Sequence, residues 1–258
     1  MPASVGTDAS PSVWAPSAPP PLADGAVHVW RIRLDLLASE QDWTLLSPDE
    51  QERARRFHFE RDRRSFVSSH GMMRRLLGTY AGMPGGQLEF TTGAFGKPAM
   101  CGAPALEFNL SHSGDIALLA VSRERAVGVD VERWNVGIEH LELAQHFFSV
   151  AECRALRDLA VTDEWRAAGF FAAWSRKEAY LKAIGHGITR GLDHFDVSLL
   201  PGEPARLIAD RLDAAATERW AMTALAPAEG YSAALVAAAP VSAILLFDAT
   251  APSASHPC

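Results

Sequence analysis

Hydrophobic and polar residues alternate along Ala26–Leu34 (AVHVWRIRL), with Val27, Val29, Arg31 and Arg33 set against His28, Trp30, Ile32 and Leu34, which predicts a strand. The spacing then turns helical. Ser47-Pro48-Asp49-Glu50 has the cap, proline and acidic first turn that open a helix running towards Phe57, with Ser47 as cap. A second helix is predicted from about Asp62 to Tyr80, carrying Phe66, Met73, Leu76 and Leu77. Past the glycines of 82–86, Gly93–Pro98 and Phe108–Gly114 read as loops at strand edges, followed by an apolar strand, Ile116–Val121. Val127–Glu132 alternates again. His140–Phe147 leads into Ser149, which with Glu152 makes a capping box for a helix to about Leu159. Ala167–Ile184 is a long helix stopped by Gly185 and Gly187, and Phe195–Leu200, Arg206–Ile208, Trp220–Ala224, Ser232–Ala237 and Val241–Phe247 read as short strands, with turns at Pro201-Gly202 and Ala228–Gly230.

Strand, helices and strands thus occur twice, in 25–125 and in 126–248, an α+β pattern of two similar α/β halves without a visible sequence repeat. Residues 1–24, rich in Pro, Ala and Ser, are expected to form a disordered tail, and 249–258 a loose one. With 258 residues, 48% hydrophobic and 21% charged, the chain can bury a real core.

A formal net charge of −7 argues against sequence-independent nucleic-acid binding, which needs clustered Lys and Arg against phosphates. Cys101, Cys153 and Cys258 are odd in number and irregularly spaced, indicating neither a disulfide framework nor a zinc site. The N-terminal stretch lacks the basic start and apolar centre of a signal peptide, and the longest uncharged run, Tyr231–Phe247, is broken by Pro240. A cytoplasmic protein without a membrane span is the expectation.

Candidate chemistry lies in three places. On the strand Val127–Glu132 the valines point one way and Gly128, Asp130 and Glu132 the other, so two carboxylates share a face. Oxygen-only ligation by such a pair suits Mg²⁺, although two solvated acids on an exposed strand face would also account for it. On the long helix, Glu178 falls at 100° per residue beside Phe170, Trp174 and Leu181, where a bare carboxylate is costly, with Lys177 and Lys182 flanking it. That grouping suits a metal and an anion held together, although a plain Glu178–Lys182 helical pair would also account for it. Finally, Arg53, Arg55, Arg56, Arg61, Arg63, Arg64, Arg74 and Arg75 make a local basic cluster, while Gly96, Lys97, Ser111, His112, Ser113 and Gly114 offer donors and close backbone approach for an anion.

Gly96-Lys97-Pro98 with Asn109-Leu110-Ser111-His112-Ser113, then Gly128-Val129-Asp130-Val131-Glu132, then Trp174-Ser175-Arg176-Lys177-Glu178-Ala179-Tyr180-Leu181-Lys182, in that order, resemble the Sfp-type 4′-phosphopantetheinyl transferases over roughly residues 26–240. The resemblance implies an α+β fold of two similar subdomains with coenzyme A in the cleft between them. It also implies Mg²⁺-dependent transfer of phosphopantetheine to a serine of an acyl or peptidyl carrier protein, with release of 3′,5′-ADP. Carried over by position, Asp130, Glu132 and Glu178 are the expected metal ligands, and Lys177 and Lys182 the expected phosphate contacts. Arg53, Lys97, Ser111 and His112 are expected on the coenzyme, with His112 and Arg53 near its 3′-phosphate. Glu178, Lys182 and Glu152 are the expected catalytic residues; the serine's proton goes to Glu178 or to a metal-bound water, with Glu152 the weaker choice. Where relatives often carry Gly-Lys-Gly after the helix, this chain has Gly185-His186-Gly187.

A non-catalytic coenzyme A or carrier-binding module of the same fold would lack one of the acids or lysines, and none is missing. No G-x-x-x-x-G-K-[ST] loop is present, so P-loop chemistry has no support. A chain holding both halves is expected to build its own cleft and act as a monomer. Arg133, Arg154, Arg157 and Arg166 could meet an acidic carrier helix or be plain surface, and the sequence does not rank fatty-acid, polyketide and nonribosomal-peptide carriers.

Overall fold

The computed structural model describes residues 13–16, 19–36, 39–93, 95–102, 105–159, 162–187, 190–200 and 202–249. Most of the two expected tails, and Pro201 of one expected turn, lie outside the described residues. In chain order the elements are β1 (Ala15–Pro16), β2 (Ala26–Arg33), α1 (Ser39–Trp43), α2 (Pro48–Arg55), α3 (Glu60–Ala81), β3 (Phe90–Thr92), β4 (Pro98–Met100), β5 (Leu106–Ser113), β6 (Ile116–Arg123) and β7 (Val127–Arg133). There follow α4 (His140–Phe147), α5 (Val150–Asp158), α6 (Asp163–Ala183), β8 (Phe195–Val197), β9 (Leu207–Asp210), α7 (Ala216–Arg219), β10 (Trp220–Leu225), β11 (Tyr231–Ala238) and β12 (Ala243–Ala249).

The sequence signals for helix starts act as expected. Ser47 and Ser149 each accept from the backbone N–H three residues on, while Glu50 and Glu152 accept from the cap N–H in return. Thr162, a cap not anticipated, starts α6 four residues before the expected Ala167.

A five-stranded sheet runs β1-β12-β2-β6-β5 and a three-stranded sheet β10-β11-β7. The late strand β12 lies parallel to β2 inside the first sheet, so the 126–248 half lends its last strand to the sheet of the other. β5 corrects the expected loop at 108–114: it pairs with β6 from Leu106 to Ser113, and Gly114, at φ 58°, makes the tight turn between them.

The two sheets stack between two helices. Trp30, Ile32, Phe108 and Leu119 pack on Met72, Met73 and Leu77 of α3. From the opposite face, Val27, Val29, Ile116 and Leu118 meet Val127, Val129, Val131 and Leu235 of the second sheet. β2 is therefore buried on both faces despite its alternating pattern. The outer face of the second sheet carries Ala234 and Val236 against α6, whose far side packs on Phe148 and Leu156. A Cβ at Gly128 would stand 2.2 Å from the Ala179 carbonyl oxygen, so the glycine is what lets α6 lie directly on β7. Among the described residues no helix is long and apolar enough to cross a membrane.

Candidate active site

β5 and β7 are neighbouring edges of different sheets, and side chains stitch them together. Asn109 Oδ1 accepts from the Val129 N–H at 2.8 Å, Ser111 Oγ donates to Asp130 Oδ1 at 2.8 Å, and Ser113 Oγ donates to Glu132 Oε2 at 3.0 Å while accepting from the Arg133 N–H. The period of two that puts Asp130 and Glu132 on one face of β7 thus meets the same period on β5.

From α6, Lys182 Nζ reaches Asp130 Oδ1 at 2.6 Å and Ser111 Oγ at 3.0 Å. The helix is buried on nearly all sides. Glu178 and Lys182, one turn apart, are only partly buried and look onto β7, so Glu178 does not sit within a buried stripe as its helical angle suggested. Its Oε1 is nonetheless enclosed and, like Asp130 Oδ2, has no hydrogen-bond partner among the described residues. Burial and then the Asp130 and Glu178 charges push the Glu132 carboxyl up to about 7, against the Ser113 bond and Lys182. Burial also raises Asp130, opposed by Lys182, and raises Glu178, where the Asp130 charge adds to it. Burial raises the proton affinity of all three acids around Lys182, and the Asp130 charge adds to it at Glu132 and Glu178, an arrangement that calls for further positive charge. Among the described residues no group of three His, Cys, Asp or Glu side chains stands ready assembled as a metal site, and Asp130 is held by Lys182 instead.

Lys177 and Glu152, expected at phosphate and in catalysis, are elsewhere. Lys177 is fully buried, donating to Glu152 Oε2 at 2.8 Å and to the Leu192 and Phe195 carbonyls at 2.7 and 2.6 Å, with the Phe195 ring 4.4 Å from its ammonium. Glu152 caps α5 through Oε2 and accepts from the Val197 N–H through Oε1 at 2.8 Å. The physical reason is helical phase: one residue from Glu178 turns Lys177 by 100°, away from β7 and into the layer under α5 and β8.

Beside the acids, on the opposite face of β5, a cavity of about 950 Å³ is lined by Arg53, Phe66, His70 and Arg74 from α2 and α3, Phe90, Gly96 and Pro98 from the β3–β4 hairpin, and Leu110 and His112 from β5. Arg53 and His112 both line it. Lys97 stands at its hairpin, with Nζ donating to the Val127 carbonyl at 3.0 Å and Glu107 3.7 Å away. Ser111 turns from the cavity to Asp130. Crowding around the His112 ring, then the Lys182 and Arg53 charges, lowers its pKa.

Comparison with known proteins bears on what this pairing of cavity and acids is. Residues 126–236 match the model of the 4′-phosphopantetheinyl transferase superfamily, and residues 38–124 match the model described as 4′-phosphopantetheinyl transferase, N-terminal. The 4′-phosphopantetheinyl transferase HetI of Nostoc sp. strain PCC 7120 is 38% identical over 231 residues, 87% of this chain and 93% of the relative. The chain belongs to the 4′-phosphopantetheinyl transferase superfamily. Membership makes it a transferase, and coenzyme A is the substrate of that family. The 4′-phosphopantetheinyl transferase Sfp of Bacillus subtilis strain 168 is 30% identical over 161 residues, 62% of this chain and 70% of Sfp. The human L-aminoadipate-semialdehyde dehydrogenase-phosphopantetheinyl transferase is 29% identical over 180 residues, 64% of this chain and 58% of the relative.

The two family matches divide near residue 125, at the turn between β6 and β7, and the acids fall in one match while the cavity walls fall in the other. Two features of this transferase escaped the sequence reading. Asn109 and Ser113 hold β7, a role their i,i+4 spacing with Ser111 between them would signal once 106–113 is read as a strand. Arg74, named only as one of the basic cluster, is buried and donates to Glu50 at 2.6 Å and to the Gly85 and Leu88 carbonyls, bracing the cavity wall.

Proposed function

We propose that this chain transfers phosphopantetheine from coenzyme A to a serine of an acyl or peptidyl carrier protein, with Mg²⁺, in the cleft between α6, β7 and β5. The observation that carries the reading is the adjacency of the Asp130, Glu132, Glu178 and Lys182 group to a large cavity bearing Arg53 and His112. Asp130, Glu132 and Glu178 would hold the metal. The unpartnered Asp130 Oδ2 and Glu178 Oε1, with proton affinities raised all round, fit a hard divalent cation. When bound, Mg²⁺ supplies charge neutralisation at the pyrophosphate.

The residues divide the work. Arg53 and His112 take the 3′-phosphate end, and Lys97 borders the nucleotide. Lys182, 28% exposed and the cation at the acids, meets the pyrophosphate. The carrier serine oxygen bonds to the β-phosphorus, the bond from that phosphorus to the oxygen of the α-phosphate breaks, and 3′,5′-ADP leaves with the bonding pair. Glu178 takes the serine proton, its raised proton affinity making it a stronger base than an ordinary carboxylate. Positioning and charge supply most of the rate, as in other phosphoryl transfers. Lys177 and Glu152 support this constellation from below. One chain supplies both cavity and acids, so we take the enzyme to act as a monomer, in the cytoplasm, on neither membranes nor nucleic acid.

The test is intact-mass spectrometry of several apo carrier proteins incubated with the enzyme, coenzyme A and Mg²⁺, with an EDTA control. A gain of about 340 Da, the mass of the phosphopantetheine group, abolished by EDTA, is the expected result for metal-assisted transfer. Coenzyme A binding without a gain on any carrier would favour the binding-module reading.

A further inference from the structure

The cavity wall includes a histidine that the proposed reaction does not use. His70, on α3, stacks on Phe66 with ring centroids 3.9 Å apart, and the Arg53 guanidinium lies over that phenyl ring at 5.1 Å. Its Nδ1 lies 3.0 Å from the Phe66 carbonyl oxygen, an acceptor only, so Nδ1 carries the proton. The Ser69 hydroxyl, 3.3 Å from the same nitrogen, keeps that edge of the ring against the helix. Nε2 is then the edge left for the cavity that His70 lines, and in the neutral ring it is a lone-pair acceptor. The ring stays neutral because burial, with His112, Arg53 and Arg74 facing it, drives its pKa down to about 3. Arg53 and Arg74 are donors suited to phosphate, and beside the carboxylates of Asp49, Glu50 and Glu89 that also line the cavity His70 adds a neutral ring acceptor.

We propose that His70 is a specificity-determining residue of this cavity, its Nε2 accepting a hydrogen bond from an N–H or O–H donor at the nucleoside end of coenzyme A. The proposal rests on coenzyme A occupying the cavity. A phosphate would be repelled by this lone pair, whereas the exocyclic amine of adenine and the ribose 2′-hydroxyl are donors of the right kind.

The test is calorimetric binding of coenzyme A, its deaminated (6-oxo) analogue and its 2′-deoxy analogue to the wild-type enzyme and to His70→Phe, which keeps the stack on Phe66 but has no acceptor. We expect His70→Phe to bind coenzyme A about tenfold more weakly, one hydrogen bond lost, with kcat within about twofold. One analogue is expected to bind the wild type about tenfold more weakly and to show no further loss with His70→Phe; which analogue does so identifies the donor. His70→Gln, whose amide oxygen can accept, recovers most of the affinity and serves where His70→Phe does not fold. Equal affinity of wild type and His70→Phe for coenzyme A, or the same His70→Phe penalty on all three ligands, overturns the proposal while leaving the transferase reading intact. Absence of coenzyme A binding by the wild type overturns both.

Discussion

Lys177 Nζ lies 2.8 Å from Glu152 Oε2, with both side chains almost wholly buried. The pair joins α6 to the start of α5, and through the Leu192, Phe195 and Val197 backbone it also fixes the segment entering β8. Burial lowers the lysine's proton affinity and the Glu152 charge opposes this, so each charge depends on the other to remain in the interior. Lys177→Met or Glu152→Gln alone is expected to cost about 3–5 kcal/mol in urea unfolding. The double variant should cost clearly less than the sum. Strict additivity in that cycle would mean that the two groups do not act as a pair.

Gly128 sets how closely α6 approaches β7. A methyl group there meets the Ala179 carbonyl oxygen and, at 2.4 Å, the Ala183 nitrogen, both backbone atoms that cannot swing aside. Gly128→Ala should therefore destabilise by about 3 kcal/mol or more, at the upper end of overpacking costs. It should also lower activity in the folded fraction, because Lys182 and Asp130 are carried by the two elements forced apart. Ala99→Gly, on the short exposed strand β4, is the control. A melting temperature unchanged by Gly128→Ala would contradict the packing described.

Local pattern made much of this legible. The alternation in Val127–Glu132 gave the shared face of Asp130 and Glu132, and Ser-x-x-Glu gave both capping boxes, because each depends only on residues a few positions apart. What stayed hidden depends on distant partners. Nothing near 243–249 announces that this strand runs beside β2, and the polar run Asn109–Ser113 looks like a loop until its hydroxyls find β7. α6 misled for a related reason. Amphipathic reasoning assumes one wet face, but this helix is covered nearly all round, so Lys177 lies in the core and the acid beside it faces the cleft.

His70 should leave a mark on acid stability. Its folded pKa is depressed from 6.5 to about 3, so between those values the unfolded chain binds a proton that the folded chain refuses. Stability contributed by the neutral ring is fully present above pH 6.5 and is lost progressively as pH falls towards 3, at up to about 1.4 kcal/mol per unit. Urea midpoints taken from pH 7 to pH 4 should fall less steeply for His70→Phe than for the wild type. Parallel curves would show that the imidazole titrates alike in both states.

The acids and Lys182 make the most discriminating prediction, because charge and position can be separated there. Glu178→Gln keeps the volume and removes the charge, and should lower kcat by roughly 10²–10³-fold, the scale for losing one preorganised electrostatic group. Mn²⁺, which accepts the same oxygen ligands, allows metal affinity to be read without turnover by electron paramagnetic resonance of the free ion. Asp130→Asn, Glu132→Gln and Glu178→Gln should each weaken Mn²⁺ binding, and Ser113→Ala, which releases Glu132 Oε2, should weaken it by about tenfold while leaving all three carboxylates in place. Ser113→Thr, retaining the hydroxyl, should restore it. Lys182→Met separates from these: removing the cation 2.6 Å from Asp130 leaves the acids less neutralised, so Mn²⁺ should bind more tightly even as transfer activity falls. If Lys182→Met weakened Mn²⁺ binding as the acid variants do, the lysine would be supporting the metal site, and its assignment to the pyrophosphate would have to be withdrawn.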